Sequence, residues 1–264
     1  MNGLTKKIYA VALMGVSLFL VQSCSEDGKP NAEQELTQTE LQTILETDDI
    51  SSVADDALAE LFANDGAGKS AISAKTNDCY VAEYSETGFV ATFNNCVLNG
   101  TDNVNGTVTV TYTVGEESAS FTATYVDFYV GTIKINGTRS FEINGNMETN
   151  SFSFTVTSNM SVEFEDESVI SESGTKTFGF TFDEELQSGS FSLAGNWTIQ
   201  ADGNTYAVEI VDTLEGSLTC ENVTSGSMIV TKNGLDIVVD FGDGECDDKA
   251  TLIYPNGASE EITL

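Results

Sequence analysis

An antiparallel all-β meander behind a short helical segment is the fold that three observations predict. From Cys79 to Leu264 apolar residues recur at every second position, as in Val108, Val110, Tyr112 and Val114, or Phe178, Phe180 and Phe182. That is the period of a strand with one dry face and one wet face. Turn dipeptides punctuate these runs: Asn99-Gly100, Asn105-Gly106, Asn136-Gly137, Asn144-Gly145, Asp202-Gly203, Asn233-Gly234 and Asn256-Gly257. Helix signals stop after residue 64, which leaves no material for the crossovers that parallel strands need. The pattern predicts roughly a dozen strands joined by hairpins. It leaves open whether they close as a barrel, fold over as a sandwich, or form a curled sheet around the helical segment.

In chain order, Lys6 and Lys7 precede an apolar run from Ile8 to Val21, and the small Ser23 stands before Cys24. The run is too short to span a bilayer comfortably. A polar, acidic stretch, Ser25-Glu26-Asp27-Gly28-Lys29-Pro30, follows at once. Leu18-Phe19-Leu20-Val21-Gln22-Ser23-Cys24 resembles the cleavage and lipidation box of bacterial lipoproteins cut by the second signal peptidase, with Val21 where the box usually has Leu. The resemblance covers these first 24 residues and the short tail after them. It implies a signal peptide over 1–23, a diacylglyceryl thioether and an acylated amine on Cys24, and a tether over 24–33. Ser25 in the next position implies the outer membrane, and Glu26-Asp27 resembles a tether that leads to the cell surface. Membrane attachment through Cys24 is thus expected, with the domain facing the surface or the periplasm.

Residues 34–66 read as a helical segment. Leu36, Leu41, Ile44 and Leu45 predict a first short helix ending near Asp48-Asp49. In a second, Ser52 with Asp55 is a cap signal, and Val53, Ala54, Ala57, Leu58, Leu61 and Phe62 make one face that Asn64-Asp65-Gly66 ends. The β domain takes residues 67–264.

With Cys24 set aside for lipid, four cysteines remain, and register selects one of their three pairings. A two-residue turn at Thr87-Gly88 makes partner numbers add to 175, which sets Cys79 opposite Cys96. A turn at Asn233-Gly234 makes them add to 467, leaving Cys220 one place from Cys246 and calling for a bulge near Gly242 or Gly244. Disulfides Cys79–Cys96 and Cys220–Cys246 are therefore expected, each contributing about 3 kcal/mol in the chain-entropy description. At Asp202-Gly203 partners add to 405, so Trp197 faces Val208 and Ile199 faces Tyr206 with all four on one side. Tyr125, Phe128 and Tyr129 do not share a strand face. Either one ring is exposed as a contact or a bulge returns them to the core.

The chain carries 10 basic and 42 acidic residues, a net charge of −32, with 40% hydrophobic residues. It holds enough apolar residues to fold, and it is too acidic to bind nucleic acid by electrostatics. It contains no His, which excludes Ser-His-Asp and Cys-His catalysis and imidazole metal sites. Carboxylates such as Glu163, Glu165, Asp166 and Glu167 meet the minimum for a glycosidase, but acids are too abundant here for proximity to mark a pair. The cluster Asp240-Phe241-Gly242-Asp243-Gly244-Glu245-Cys246-Asp247-Asp248 admits two readings. One is an oxygen-ligand Ca2+ site on Asp240, Asp243 and Asp247; the other is a bulged, solvent-facing strand end. A transmembrane barrel is disfavoured by wet faces of Thr, Ser and Glu and by the lack of aromatic girdles. The sequence thus points to an exported, lipid-anchored envelope protein that binds a protein or glycan or serves a structural role and uses no cofactor. A two-carboxylate envelope hydrolase is the alternative.

Overall fold

The computed structural model describes residues 35–45, 54, 55, 58, 61, 74–76, 79–97, 103–114, 119–146, 148–183 and 188–264. The signal peptide, Cys24 and its tether, Ser52, Asn64-Asp65-Gly66 and the Asn99-Gly100 turn lie outside the described residues. One helix, α1, covers residues 38–45, and Ala54, Asp55, Leu58 and Leu61 are also helical. The strands are β1 (Ala74–Thr76), β2 (Tyr80–Ser85), β3 (Gly88–Cys96), β4 (Val104–Val114), β5 (Ala119–Val130), β6 (Ile133–Asn146) and β7 (Ser151–Glu163). They continue as β8 (Val169–Phe182), β9 (Gly189–Ala201), β10 (Asn204–Ser217), β11 (Ser225–Lys232), β12 (Leu235–Asp243), β13 (Lys249–Ile253) and β14 (Ser259–Thr263).

All fourteen form one sheet in sequence order, each antiparallel to the next, and β1 does not pair with β14. The sheet is open, neither a barrel nor a two-sheet sandwich. Each strand neighbours the next in sequence, the order that short connections favour.

Register carries one dry face across the whole sheet. Phe89 pairs with Val110, Val110 with Ala123, Ala123 with Arg139, Arg139 with Ser158, Ser158 with Gly174, Gly174 with Trp197, Trp197 with Val208, and Val208 with Val230. Helical residues cover this face in two places. Ala54, Leu58 and Leu61 pack in a core with Tyr80, Phe93, Tyr125 and Phe128, while Leu36, Leu41 and Ile44 pack in a second with Trp197, Ile199, Val230 and Ile237. The opposite face is a field of hydroxyls, with Thr122 to Ser140 at 2.8 Å, Thr155 to Thr177 at 2.9 Å and Thr157 to Thr175 at 3.0 Å.

The turn dipeptides divide into two groups. Asp202-Gly203 and Asn233-Gly234 are two-residue turns with positive φ at both positions (51° and 78°, 50° and 90°), and the predicted registers follow. Asn256-Gly257 also turns the chain, between β13 and β14. By contrast Asn105-Gly106, Asn136-Gly137 and Asn144-Gly145 lie inside β4 and β6, which corrects the reading of them as turns. In two of them the Asn serves a bulge on the neighbouring strand. Asn136 Oδ1 accepts the Asp127 N–H at 2.8 Å, and Asn105 Oδ1 accepts the Asn95 N–H at 2.7 Å. Asp127 and Asn95 are left-handed, at φ 45° and 55°, and each sits where the register shifts. The glycine admits the adjacent backbone, for a Cβ on Gly137 would lie 2.1 Å from the Asn159 carbonyl oxygen. The Asp127 bulge also resolves the aromatic triplet: Tyr125 and Phe128 are both buried, and Tyr129 is left half-buried.

Both expected disulfides form, with Cα atoms 5.2 Å apart for Cys79–Cys96 and 5.9 Å for Cys220–Cys246. Their local geometry corrects the expectation. The β2–β3 turn is Glu86-Thr87, so Ser85 pairs with Gly88 and Cys79 stands opposite Asn94, whose N–H it accepts. Asn95 then turns the chain so that Cys96 reaches Cys79. In the second pair the bulge falls at Phe241-Gly242 as expected but adds its residue to β12, moving strict register away from Cys246. The bridge instead joins the β10–β11 loop to the β12–β13 loop.

Candidate functional site

The dry face between the two cores carries what an apolar sheet would not ordinarily hold. Arg139, Lys176 and Lys232 are 3%, 3% and 4% exposed, and Glu172 is 4% exposed. Each occupies a dry-face position of its strand, and a buried charge survives only when it is paired.

Arg139 Nη1 stands 3.4 Å from Asp55 Oδ2, and the Tyr125 hydroxyl donates to Asp55 Oδ1 at 3.2 Å. This ties the helical residues to β5 and β6. Burial and the Asp55 charge push the Tyr125 hydroxyl well above the usual tyrosine range, so it stays a donor. Lys232 makes the matching tie to α1, with Nζ 2.8 Å from Glu40 Oε1 and a further bond to the Glu35 carbonyl. The Tyr206 hydroxyl donates to Glu40 at 2.6 Å and, by burial and that bond, is also raised. Burial alone would lift the Glu40 carboxyl; the bonds from Lys232, the Thr37 N–H and Tyr206 outweigh it and hold it below its ordinary value. Thr37 and Glu40 are a reciprocal capping box, Thr37 N–H to Glu40 at 2.9 Å and Glu40 N–H to Thr37 at 3.2 Å.

The third pair lies within one strand. Lys176 Nζ donates to Glu172 Oε2 at 2.9 Å, although residues four apart in a strand are separated by about 13 Å. The two side chains lean toward each other over Gly174, which has no side chain to obstruct them. Trp197 pairs with Gly174, and Lys176 Nζ lies 4.6 Å from its ring centroid, a cation–π contact in a desolvated place.

Beyond this charged band, the dry face of β6–β9 carries a slab of phenylalanines. Phe121 stacks on Phe141 at 4.8 Å, Phe154 on Phe178 at 4.9 Å and Phe152 on Phe180 at 4.9 Å, with interplanar angles of 18–20°. Phe154–Phe180 and Phe152–Phe182, both at 6.0 Å, join the rows. Phe141, Phe152, Phe154, Phe178, Phe180 and Phe182 belong to neither core. Phe152 is 41% and Ile143 45% exposed.

Among the residues singled out from the sequence, the four cysteines are brought together in their pairs. Asp240, Asp243 and Asp247 are exposed and spend their groups locally: Asp240 Oδ1 accepts the Gly242 N–H at 2.9 Å, and Asp247 Oδ1 accepts the Lys249 N–H at 3.1 Å. Among the described residues no group of three or more potential ligands is placed to hold a metal ion. Glu165, Asp166 and Glu167 are exposed in the β7–β8 turn. Sequence reasoning missed Asp55, Arg139, Glu172, Lys176, Glu40 and Lys232 as partners, although basic residues at dry-face positions were visible.

The class that fold and face define is an open, single-sheet all-β protein with two helix-covered cores and an aromatic surface that, among the described residues, no helix covers. The chain matches no protein-family model, no curated protein and no solved structure.

Proposed function

We propose that the chain is an exported envelope protein, anchored to the outer membrane by lipid on Cys24, whose sheet has a binding or structural role without catalysis. The observation that carries this reading is the pair of disulfides, Cys79–Cys96 toward one end of the sheet and Cys220–Cys246 toward the other. Such bonds persist in oxidising compartments outside the cytoplasm, and the apolar run ending in Ser23-Cys24 supplies a route there. A binding role is supported by how the buried carboxylates are used. Glu40, Asp55 and Glu172 each meet a cation, in bonds that fasten helix to sheet or cross a glycine, so their charge is spent on the fold. The dry face of β6–β9, which no helix covers among the described residues, is the surface such a role would use.

Proteinase treatment of intact cells expressing the full chain, followed by membrane fractionation beside a Cys24→Ala control, tests the reading. Digestion from outside, with loss of membrane attachment in the control, is expected for a surface-facing anchor. Protection in intact cells with the same loss places the sheet in the periplasm. A control that remains on the membrane contradicts the lipid anchor.

A further inference from the structure

We infer that the phenylalanine slab on β6–β9 is a docking surface for the acyl chain of an uncharged amphiphile. This gives the proposed binding role a ligand class. Register places Ile143, Phe154, Phe178 and Leu193 in one row across four strands, and Gly145, Phe152, Phe180 and Phe191 in the next. Phe182 stands in the row beyond, opposite Gly189, and the Phe121–Phe141 pair flanks the first. The rings stack along the direction in which strands neighbour one another, so they meet solvent edge-on and make a ribbed apolar floor.

Area and charge choose the occupant. Four strands and two full side-chain rows span about 260 Å², and Phe141 and Phe182 at their borders bring the face to the ~300–600 Å² of the largest apolar patches on monomers, often functional ones. A stable dimer needs about 800 Å² from each partner, so a second copy would find less than half the surface it requires. A second copy also brings another net charge of −32, which repels the first. The two full rows carry no charged side chain, and the bordering Lys176 is already held by Glu172. A narrow, neutral and apolar occupant fits what remains, and an alkyl chain lying across the four strands has that form.

Both cores and both disulfides lie within residues 36–264, so the chain from Ser25 to Leu264 carries both cores and both bridges and is tested apart from the anchor. The test is displacement of the neutral dye N-phenylnaphthylamine from this chain by monolauroylglycerol below its aggregation concentration. Saturable displacement is expected. Phe152→Ser with Phe178→Ser should weaken it by roughly tenfold or more, while Val81→Ser, 43% exposed on the hydroxyl face, leaves it unchanged. Circular dichroism checks the fold of each variant. If the double variant does not fold, Phe152→Ala alone, the most exposed ring of the slab, should still weaken binding about threefold. The inference is overturned by absent or non-saturable binding, by equal loss in Val81→Ser, or by retained affinity in the slab variants. Sedimentation showing a dimer that the slab variants convert to monomer also overturns it, by assigning the slab to a second copy. None of these results bears on export or on Cys24, which the cell assay reads separately.

Discussion

The two halves of the sheet solve one problem with different local devices. Each lays helical residues on the dry face and fixes them with a tyrosine and a buried cation around one carboxylate: Tyr125 and Arg139 on Asp55 in the first half, Tyr206 and Lys232 on Glu40 in the second. The first half spends Asn-Gly pairs inside long strands, where Asn105-Gly106 and Asn136-Gly137 serve bulges. The second spends Asp202-Gly203 and Asn233-Gly234 on tight turns. The same dipeptide thus has two meanings, and the flanking apolar runs separate them. Where alternation on both sides closes into a matched register, the pair is a turn; where the strand must run on past a neighbour's bulge, glycine admits the neighbour's backbone.

The largest expected effect falls where the halves meet. Lys176→Ala leaves Glu172 buried without its partner and should destabilise by about 3–5 kcal/mol. Lys176→Met with Glu172→Leu should recover most of that loss in urea melts. If the single variant costs under 1 kcal/mol, the pair does not hold the seam.

The disulfides allow a direct comparison between halves. Replacing both cysteines of a pair by Ser should cost about 3 kcal/mol in either half, with the 220–246 pair costing about 0.4 kcal/mol more because its loop is longer. Thermal melts of the two double variants read this, and a markedly smaller loss from Cys79 and Cys96 would show that the bulged half relies on its bridge less.

Glycine substitution sharpens the two meanings of Asn-Gly. Gly137→Ala sets a Cβ 2.1 Å from a carbonyl oxygen at φ 125° and should cost about 3 kcal/mol, whereas Gly234→Ala meets nothing within 4 Å and should cost about 1 kcal/mol, from its positive φ alone. Equal costs would mean that β6 does not approach β7 as described.

The smallest effect is acid sensitivity. Glu40 has a folded pKa below its ordinary 4.5, so its contribution is present above that value and is lost as pH falls through the lower folded one. The second half should therefore loosen on acidification below pH 4.5, and Glu40→Gln should flatten that part of the stability profile. A profile that keeps its slope in Glu40→Gln would assign the acid sensitivity elsewhere.

Much of the architecture was legible. Period-two alternation and hairpin turns give the meander, and register arithmetic places Trp197 opposite Val208; it also names both disulfides, although neither cysteine pair stands in the strict register assumed for it. The details it missed share one cause: turn chemistry reports a backbone conformation without saying whether it lies in a loop or within a strand. Its signal sets the β2–β3 turn one residue late, at Thr87-Gly88, and marks Asn136-Gly137 as the end of a strand that in fact continues. The ion pairs were half-legible. Arg139, Lys176 and Lys232 each stand in phase with apolar residues, a visible sign of burial, but their partners Asp55 and Glu40 come from distant helical residues that no strand period can locate. That the dry face of β6–β9 extends beyond both cores was likewise beyond the sequence, because a strand's pattern says which face is apolar and not what covers it.

Fourteen strands form one continuous sheet with both cores on the same face. Amide hydrogen exchange, resolved by peptide across β6–β9 in the native chain, tests it most directly. Slow exchange running without a break through β7 and β8, lost together with both flanking halves in Lys176→Ala, is the predicted result. Two protected blocks separated by rapidly exchanging β7 and β8 would contradict it.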